Sequence, residues 1–253
     1  MKKLILAFSL MLIAVSVGFA QTIIIAPKKT VYTRKGKGVP KEKRTFVVTY
    51  PLFNGTMPLA AKKKLENTIS YWRVFETTLQ ENLTEYDSLS ELSYKVNYNK
   101  NGVLDISLTQ ETIAAYPDQS TVNLLIDLKT GESVKFSDAF KANSLDEFAK
   151  RVDVKLSAEK TAMIARIDKG EFDEGGTVDK EANDAVKEQL NNLSFTAETF
   201  NEFSVNDKGV TIIYDAGFPH VIKAAQPDGR YFFTWAEVKP FIRTDGLLGR
   251  FVR

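Results

Sequence analysis

The chain has 253 residues, no cysteine and one histidine, His220. Without cysteine there are no disulfides, thiol nucleophiles, iron–sulfur clusters or cysteine zinc sites, and one imidazole is too few for a His-ligated zinc enzyme. The 34 basic and 32 acidic residues nearly cancel, which leaves no basic footprint for nucleic acid.

The first element is a leader. Lys2 and Lys3 precede an apolar run from Leu4 to Phe19, and Gly18-Phe19-Ala20 offers a small-x-Ala cleavage site before Gln21. That order reads as a secretory signal peptide over residues 1–20. The run falls short of the roughly 20 apolar residues a spanning helix needs. No second long apolar segment follows. The expectation is an exported protein, periplasmic or secreted, with no transmembrane segment after signal removal. No lipobox cysteine stands at the cleavage site, and loss of Lys2 and Lys3 leaves the remainder formally neutral.

Short strands are expected at Ile23–Ile25 and Val31–Tyr32, within a basic stretch from Lys28 to Arg44. Gly36 and Gly38 predict a flexible loop in the middle of that stretch. Arg44–Tyr50 alternates around Phe46 and Val48 and predicts a half-buried strand that Pro51 stops. Leu65, Ile69, Trp72, Phe75, Leu79 and Leu83 recur at helical spacing and predict one long helix packed on a sheet. Alternating runs at Leu92–Tyr98, Val103–Thr112, Val122–Leu128 and Ser133–Phe136 are separated by turn residues, the pattern of an antiparallel meander. Ser137–Phe140 predicts a short helical turn.

Ser144 and Glu147 read as a capping box before a second long helix striped by Leu145, Phe148, Val152, Leu156, Met163 and Ile167. An acidic loop over 168–181, a short helix at Ala182–Leu190 and strands at Phe200–Val205, Val210–Asp215 and Tyr231–Trp235 follow. A short helix over Ala236–Phe241 ends the pattern. The expected fold is α+β: an antiparallel sheet meander with two long packing helices and a second, smaller α+β lobe. The lobes are expected at 21–142 and 143–253.

The order of alternating strand, hairpin, Asp127-Leu128-Lys129-Thr130-Gly131, Phe136, Asp138, Phe140 and long helix resembles a known bacterial extracytoplasmic module. So do Tyr50-Pro51 before a Leu65–Ile69 helix start, and Ile213-Tyr214-Asp215, Gly217-Phe218-Pro219-His220 and Phe232–Trp235 near the end. The module is the outer part of lysozyme-sensing anti-sigma factors, the segment before the catalytic domain of some peptidoglycan deacetylases, and part of many exported proteins of unassigned role. The resemblance implies a surface that meets peptidoglycan or a lysozyme-like protein. This chain carries no transmembrane helix after the signal and ends at Arg253, so neither signal relay nor deacetylation is expected of it. Gly217–His220 also replaces a Pro-Tyr turn of the anti-sigma versions.

Candidate chemistry is sparse. Ser157-Ala158-Glu159-Lys160 and Lys129-Thr130-Gly131 match penicillin-binding signatures, but in the wrong order and on the wrong elements. His220 lies near Tyr214 and Asp215, so Tyr214, Asp215, Phe218 and His220 form the candidate ligand-binding set; the plain alternative is a turn. Asp168, Glu171, Asp173 and Glu174 are the candidate docking surface for a cationic partner; a solvated loop is the alternative. The spacing of the acidic loop fails the EF-hand calcium pattern. The Lys28–Arg44 stretch is read as an exposed loop able to meet anionic polymer. Trp72 and Trp235 are expected in the core. No catalytic residue, metal or cofactor is expected. The reading is an exported, non-catalytic binding module of the cell envelope, with a two-carboxylate hydrolase acting on wall glycans as the alternative.

Overall fold

The structure, a computed structural model, describes residues 22–35, 39–55, 57–84, 89–113, 116–172 and 180–253. The segment 1–20 expected to be a signal peptide and the expected loop glycines Gly36 and Gly38 lie outside them. The α+β class holds: a six-stranded, mostly antiparallel sheet, a separate three-stranded sheet and a long helix. The chain divides into two units between Ser133 and Val134.

In the first unit the sheet runs in sequence order: β1 (Ile24–Thr33), β2 (Thr45–Asn54), β3 (Leu89–Lys100), β4 (Val103–Ile113), β5 (Pro117–Asp127) and β6 (Glu132–Ser133). Neighbours are antiparallel except β2 and β3, which pair in parallel only at Val47–Glu91 and Val48–Leu92. Asn101 (φ 56) and Gly102 (φ 71) form the tight β3–β4 turn, since both central positions of such a turn are left-handed. Leu104, Ile106 and Leu108 of β4 are fully buried against Phe46, Val48, Leu65, Ile69 and Leu92.

The two short strands expected at 23–25 and 31–32 are one strand, β1, and Pro51 does not stop β2. Their register explains both. Pro27 lies opposite Pro51. Arg34 N–H donates to Arg44 O at 2.9 Å, in phase with that register, so even-numbered β1 residues exchange hydrogen bonds with β2 and odd-numbered ones turn away. The prolines therefore meet at a pair that asks neither for an N–H.

The long helix expected over 65–83 is three short ones: α1 (Leu59–Thr68), α2 (Tyr71–Val74) and α3 (Leu79–Thr84). The apolar spacing is real, but Ser70 is extended and Glu76 is left-handed (φ 51), so the chain turns twice. Thr78 and Glu81 restart it as a reciprocal cap, at 2.7 and 3.1 Å. The last meander strand stops at Ser133, because Phe136 opens α4 (Phe136–Ala139), whose Asp138 carboxylate accepts from Lys135 N–H.

The Lys129-Thr130-Gly131 turn packs on α1. Gly131 has φ 76, and a Cβ there would lie 2.2 Å from Ala61 O and 2.7 Å from Leu65 N. Gly131→Ala is expected to cost roughly 1–3 kcal/mol through strain and overpacking. A urea midpoint equal to the parent's would contradict that close approach.

In the second unit α5 (Leu145–Asp168) buries Phe148, Val152, Leu156, Met163 and Ile167 of the expected stripe together with Ala149, while Leu145 is half-buried. Its cap differs from expectation. Ser144 ends a 3-10 turn, Ala142–Ser144, and its hydroxyl donates back to Lys141 O at 3.1 Å, leaving no oxygen aimed into the helix. α6 (Lys180–Asn192), the sheet β7 (Glu202–Asn206), β8 (Gly209–Ile213) and β9 (Arg230–Thr234), and α7 (Trp235–Val238) complete the unit. Met163, Ile167, Val186, Leu190, Phe218 and Ala225 form a small core between helices and loop. A larger one is built of phenylalanines around Phe148.

Candidate functional site

A cavity opens where the β1–β2 ribbon parts from β3. Odd-numbered β2 residues turn toward β3, but the parallel pairing ends at Val48. Thr49 O, next in line, accepts the Tyr71 hydroxyl at 2.7 Å in place of a strand. Pro51 has no N–H to satisfy. Where the ribbon leaves the sheet, Thr49 O and the Pro51 nitrogen thus need no strand partner. The space between the ribbon and the Glu66–Tyr71 segment is about 580 Å³, a volume suited to a small ligand.

Lys28, Thr30 and Tyr32 alternate along β1 and so share one face, opposite Tyr50 of β2. Glu66, Ile69, Ser70 and Tyr71 form the other wall. The Tyr32 and Tyr50 hydroxyls lie 3.1 Å apart, and the Tyr50 and Tyr71 rings are tilted with centroids 6.0 Å apart. Burial first, then the hydrogen bond with Tyr32, pushes the Tyr50 phenol above its ordinary pKa; a hydrogen bond from the Trp72 side chain opposes the shift. Burial likewise raises Tyr71, helped by Tyr94, Tyr50 and Glu91. Both phenols are therefore neutral at physiological pH. They offer O–H groups and ring faces, not a base. Glu66 supplies the lining's one carboxylate and Lys28 its one ammonium, and neither side chain has a hydrogen bond or ion pair among the described residues.

Three of the residues expected to bind ligand near the C-terminus have local partners. The Asp215 carboxylate accepts from Gly217 N–H at 2.9 Å and from the Gln226 side chain at 3.1 Å. Phe218 is buried in the small helical core, and its N–H donates to Gln226 Oε1. Tyr214 stands edge-on to Phe195, and burial raises its phenol, with Asp215 and Asp153 adding to the shift. His220 opens a 3-10 helix, His220–Ala225; its side chain lies outside the described residues. Of the expected docking acids, Asp168 pairs with Lys187 and Glu171 with Arg166 at 2.7 Å, while Asp173 and Glu174 lie outside the described residues.

The penicillin-binding matches resolve into structure as well. Lys160 donates to Leu193 O at 2.6 Å, just past the C-terminal end of α6, and Glu159 accepts from Tyr231 O–H and Asp228 N–H. Trp72 packs on the first core, and Trp235 stacks on Phe251. Arg34, counted with an exposed basic loop, is 4 % exposed. Among the described residues no group of three or more His, Cys, Asp or Glu side chains could hold a metal ion, and no helix is long and apolar enough to cross a membrane. Sequence reasoning missed the tyrosines of the cavity. Their one signal was the alternation of Lys28, Thr30 and Tyr32, which the two-strand reading of β1 broke up.

The fold is shared with solved proteins of the DUF3298 family. One from Pseudomonas aeruginosa PAO1 superposes with a TM-score of 0.54 at 13% identity, over 88% of this chain and 95% of that one. Another from Bacteroides fragilis NCTC 9343 gives 0.56 at 10% identity, over 92% and 97%. At such identities the likeness concerns the fold, that of a domain of unknown function. No family model matches the chain, and no curated protein matches it.

Proposed function

We propose that the chain is an exported, non-catalytic binding module of the bacterial cell envelope, which takes a fragment of envelope material in the cavity between β1–β2 and the Glu66–Tyr71 segment. The observation that carries this reading is the make-up of the lining. Tyrosine faces and hydroxyls, Thr30, Ser70, one ammonium and one carboxylate suit a ligand with both apolar faces and polar groups, such as an amino sugar with its peptide stem. Wall-glycan hydrolysis would need two carboxylates about 5–10 Å apart across such a cleft, and this lining brings Glu66 alone. The resemblance to envelope-facing modules and the signal-like leader support the same setting.

The test is retention of the purified mature protein by isolated peptidoglycan, and separately by lysozyme, over a range of salt. Retention by peptidoglycan is expected. Tyr50→Phe combined with Glu66→Gln is expected to weaken it about tenfold, the scale of one or two lost hydrogen bonds, at unchanged stability. Retention by lysozyme alone, no retention by either, or release of sugar products would each defeat the proposal.

A further inference from the structure

The free edge of the six-stranded sheet carries a further binding mode. Among the described residues β1 pairs only with β2, so its other side is an edge. The phase set by Arg34 N–H on Arg44 O turns Lys29, Val31 and Thr33 outward, with their N–H and C=O groups facing away from β2. Both ends of this stretch are closed. Pro27 has no N–H to offer, and the N–H of Lys35, the next outward residue, donates to Leu83 O at 3.2 Å. What lies between is a short, bounded template for one added strand. Lys28 and Lys29 stand on it, and neither β1 nor β2 contains an acidic residue.

We infer that this edge accepts an extended acidic peptide segment by strand addition, with alternate guest side chains entering the mouth of the tyrosine cavity. The pairing geometry dictates the second half. Guest residues opposite Lys28, Thr30 and Tyr32 share their face, the one that lines the cavity. For an antiparallel guest these are the pairs without mutual hydrogen bonds, where side chains approach most closely, so an acid opposite Lys28 meets its ammonium. Glu66, on the helix wall, asks for a hydrogen-bond donor at the guest position that reaches it. Lysines and a proline on an edge also deter pairing with a second copy, which would bring its own Lys28 and Lys29 to the same seam. A guest of opposite charge avoids that cost. The inference goes beyond wall-fragment binding, because it names a peptide partner and its backbone register.

The probe is a short, capped peptide alternating glutamate with valine, followed by calorimetry and by amide exchange of the intact protein. Saturable, salt-weakened binding that protects the amides of Lys29, Val31 and Thr33 is expected. N-methylating the peptide at every second residue should abolish binding in one phase and spare it in the other. Val31→Pro removes an outward N–H without touching the β1–β2 ladder, as Pro27 already does, and should weaken binding about tenfold. Replacing Lys28 and Lys29 by glutamate should shift preference to a lysine–valine peptide. No binding, equal loss in both N-methyl phases, or protection of those amides by self-association alone would overturn strand addition. Peptidoglycan retention on the same preparations separates the two ideas: wall retained without peptide binding sinks strand addition only, and the reverse sinks wall binding only.

Discussion

Phe148→Ala is expected to destabilise the C-terminal unit by about 3–5 kcal/mol, the range for emptying a fully buried aromatic site. Phe148 is 0 % exposed and sits at the centre of a ring cluster. Its centroid lies 4.8 Å from Phe241, 5.2 Å from Phe200 and from Phe233, and 5.4 Å from Phe140. Those partners come from the residue just past α4, the β7 approach, β9 and the segment after α7, so one ring on α5 joins most of the unit's layers. Removing it forfeits both buried area and the edge and stacked contacts, each of which adds about 0.5–1.5 kcal/mol beyond area. No neighbour can refill the space, because rings are rigid and the cluster already interlocks. Phe148→Leu should lose markedly less. Trp235 lies in this unit and Trp72 in the other, so single-tryptophan variants report each unit's urea midpoint separately. A Trp235 midpoint that Phe148→Ala leaves in place would refute this account of the core.

The helix stripe that carries Phe148 was legible in the sequence, whereas the ring cluster around it and the cavity were not. Phe148, Val152, Leu156, Met163 and Ile167 keep helical spacing over α5 and are buried, while Leu145 at the helix start is only half-buried. The meander was legible for the same reason, since alternation in β4 and turn chemistry at Asn101-Gly102 agree. The same rule misread α1–α3. Helical spacing persists there, but Ser70 and Glu76 break the backbone so that the Tyr71 hydroxyl can reach Thr49 O, and that contact joins residues far apart in sequence. Pro51 was misread because a proline's effect depends on which way its missing N–H points, which only the register with Pro27 decides. Asp215 and Phe218 have partners within their own turn, and short polar–aromatic turns look alike in sequence whether or not they also meet a ligand. Charge runs hide a further distinction: Arg34 reads like its exposed basic neighbours until its partners are known.

Those partners make Arg34→Ala the most damaging change expected in the N-terminal unit, at about 3–5 kcal/mol. Nε donates to Asn82 O at 3.0 Å, Nη1 to Lys43 O at 2.6 Å and Nη2 to Leu89 O at 2.7 Å. The guanidinium also covers the Phe46 ring at 4.8 Å, and Phe46 stacks on Tyr32 of the cavity. One planar fork therefore ties the end of β1 to α3, to the approach of β2 and to the start of β3. Truncation leaves three carbonyls without these charge-assisted donors, at roughly 1–3 kcal/mol for each that water cannot reach. The neighbourhood has little slack, since Asn82 Oδ1 is already buried without a partner among the described residues. Arg34→Met keeps the packing and loses the donors, so it should remain close to Ala. Arg34→Lys restores one point charge but not the fork, and should recover only part of the loss. Urea midpoints followed by Trp72 fluorescence measure the series, and amide exchange at Lys35, bonded to Leu83 O, reports whether the strand end has come loose. Met behaving like the parent would mean that packing alone holds the strand. A loosened β1 should also lose the acidic peptide, because the outward amides at Lys29, Val31 and Thr33 hold their line only while the strand's far end is tied down.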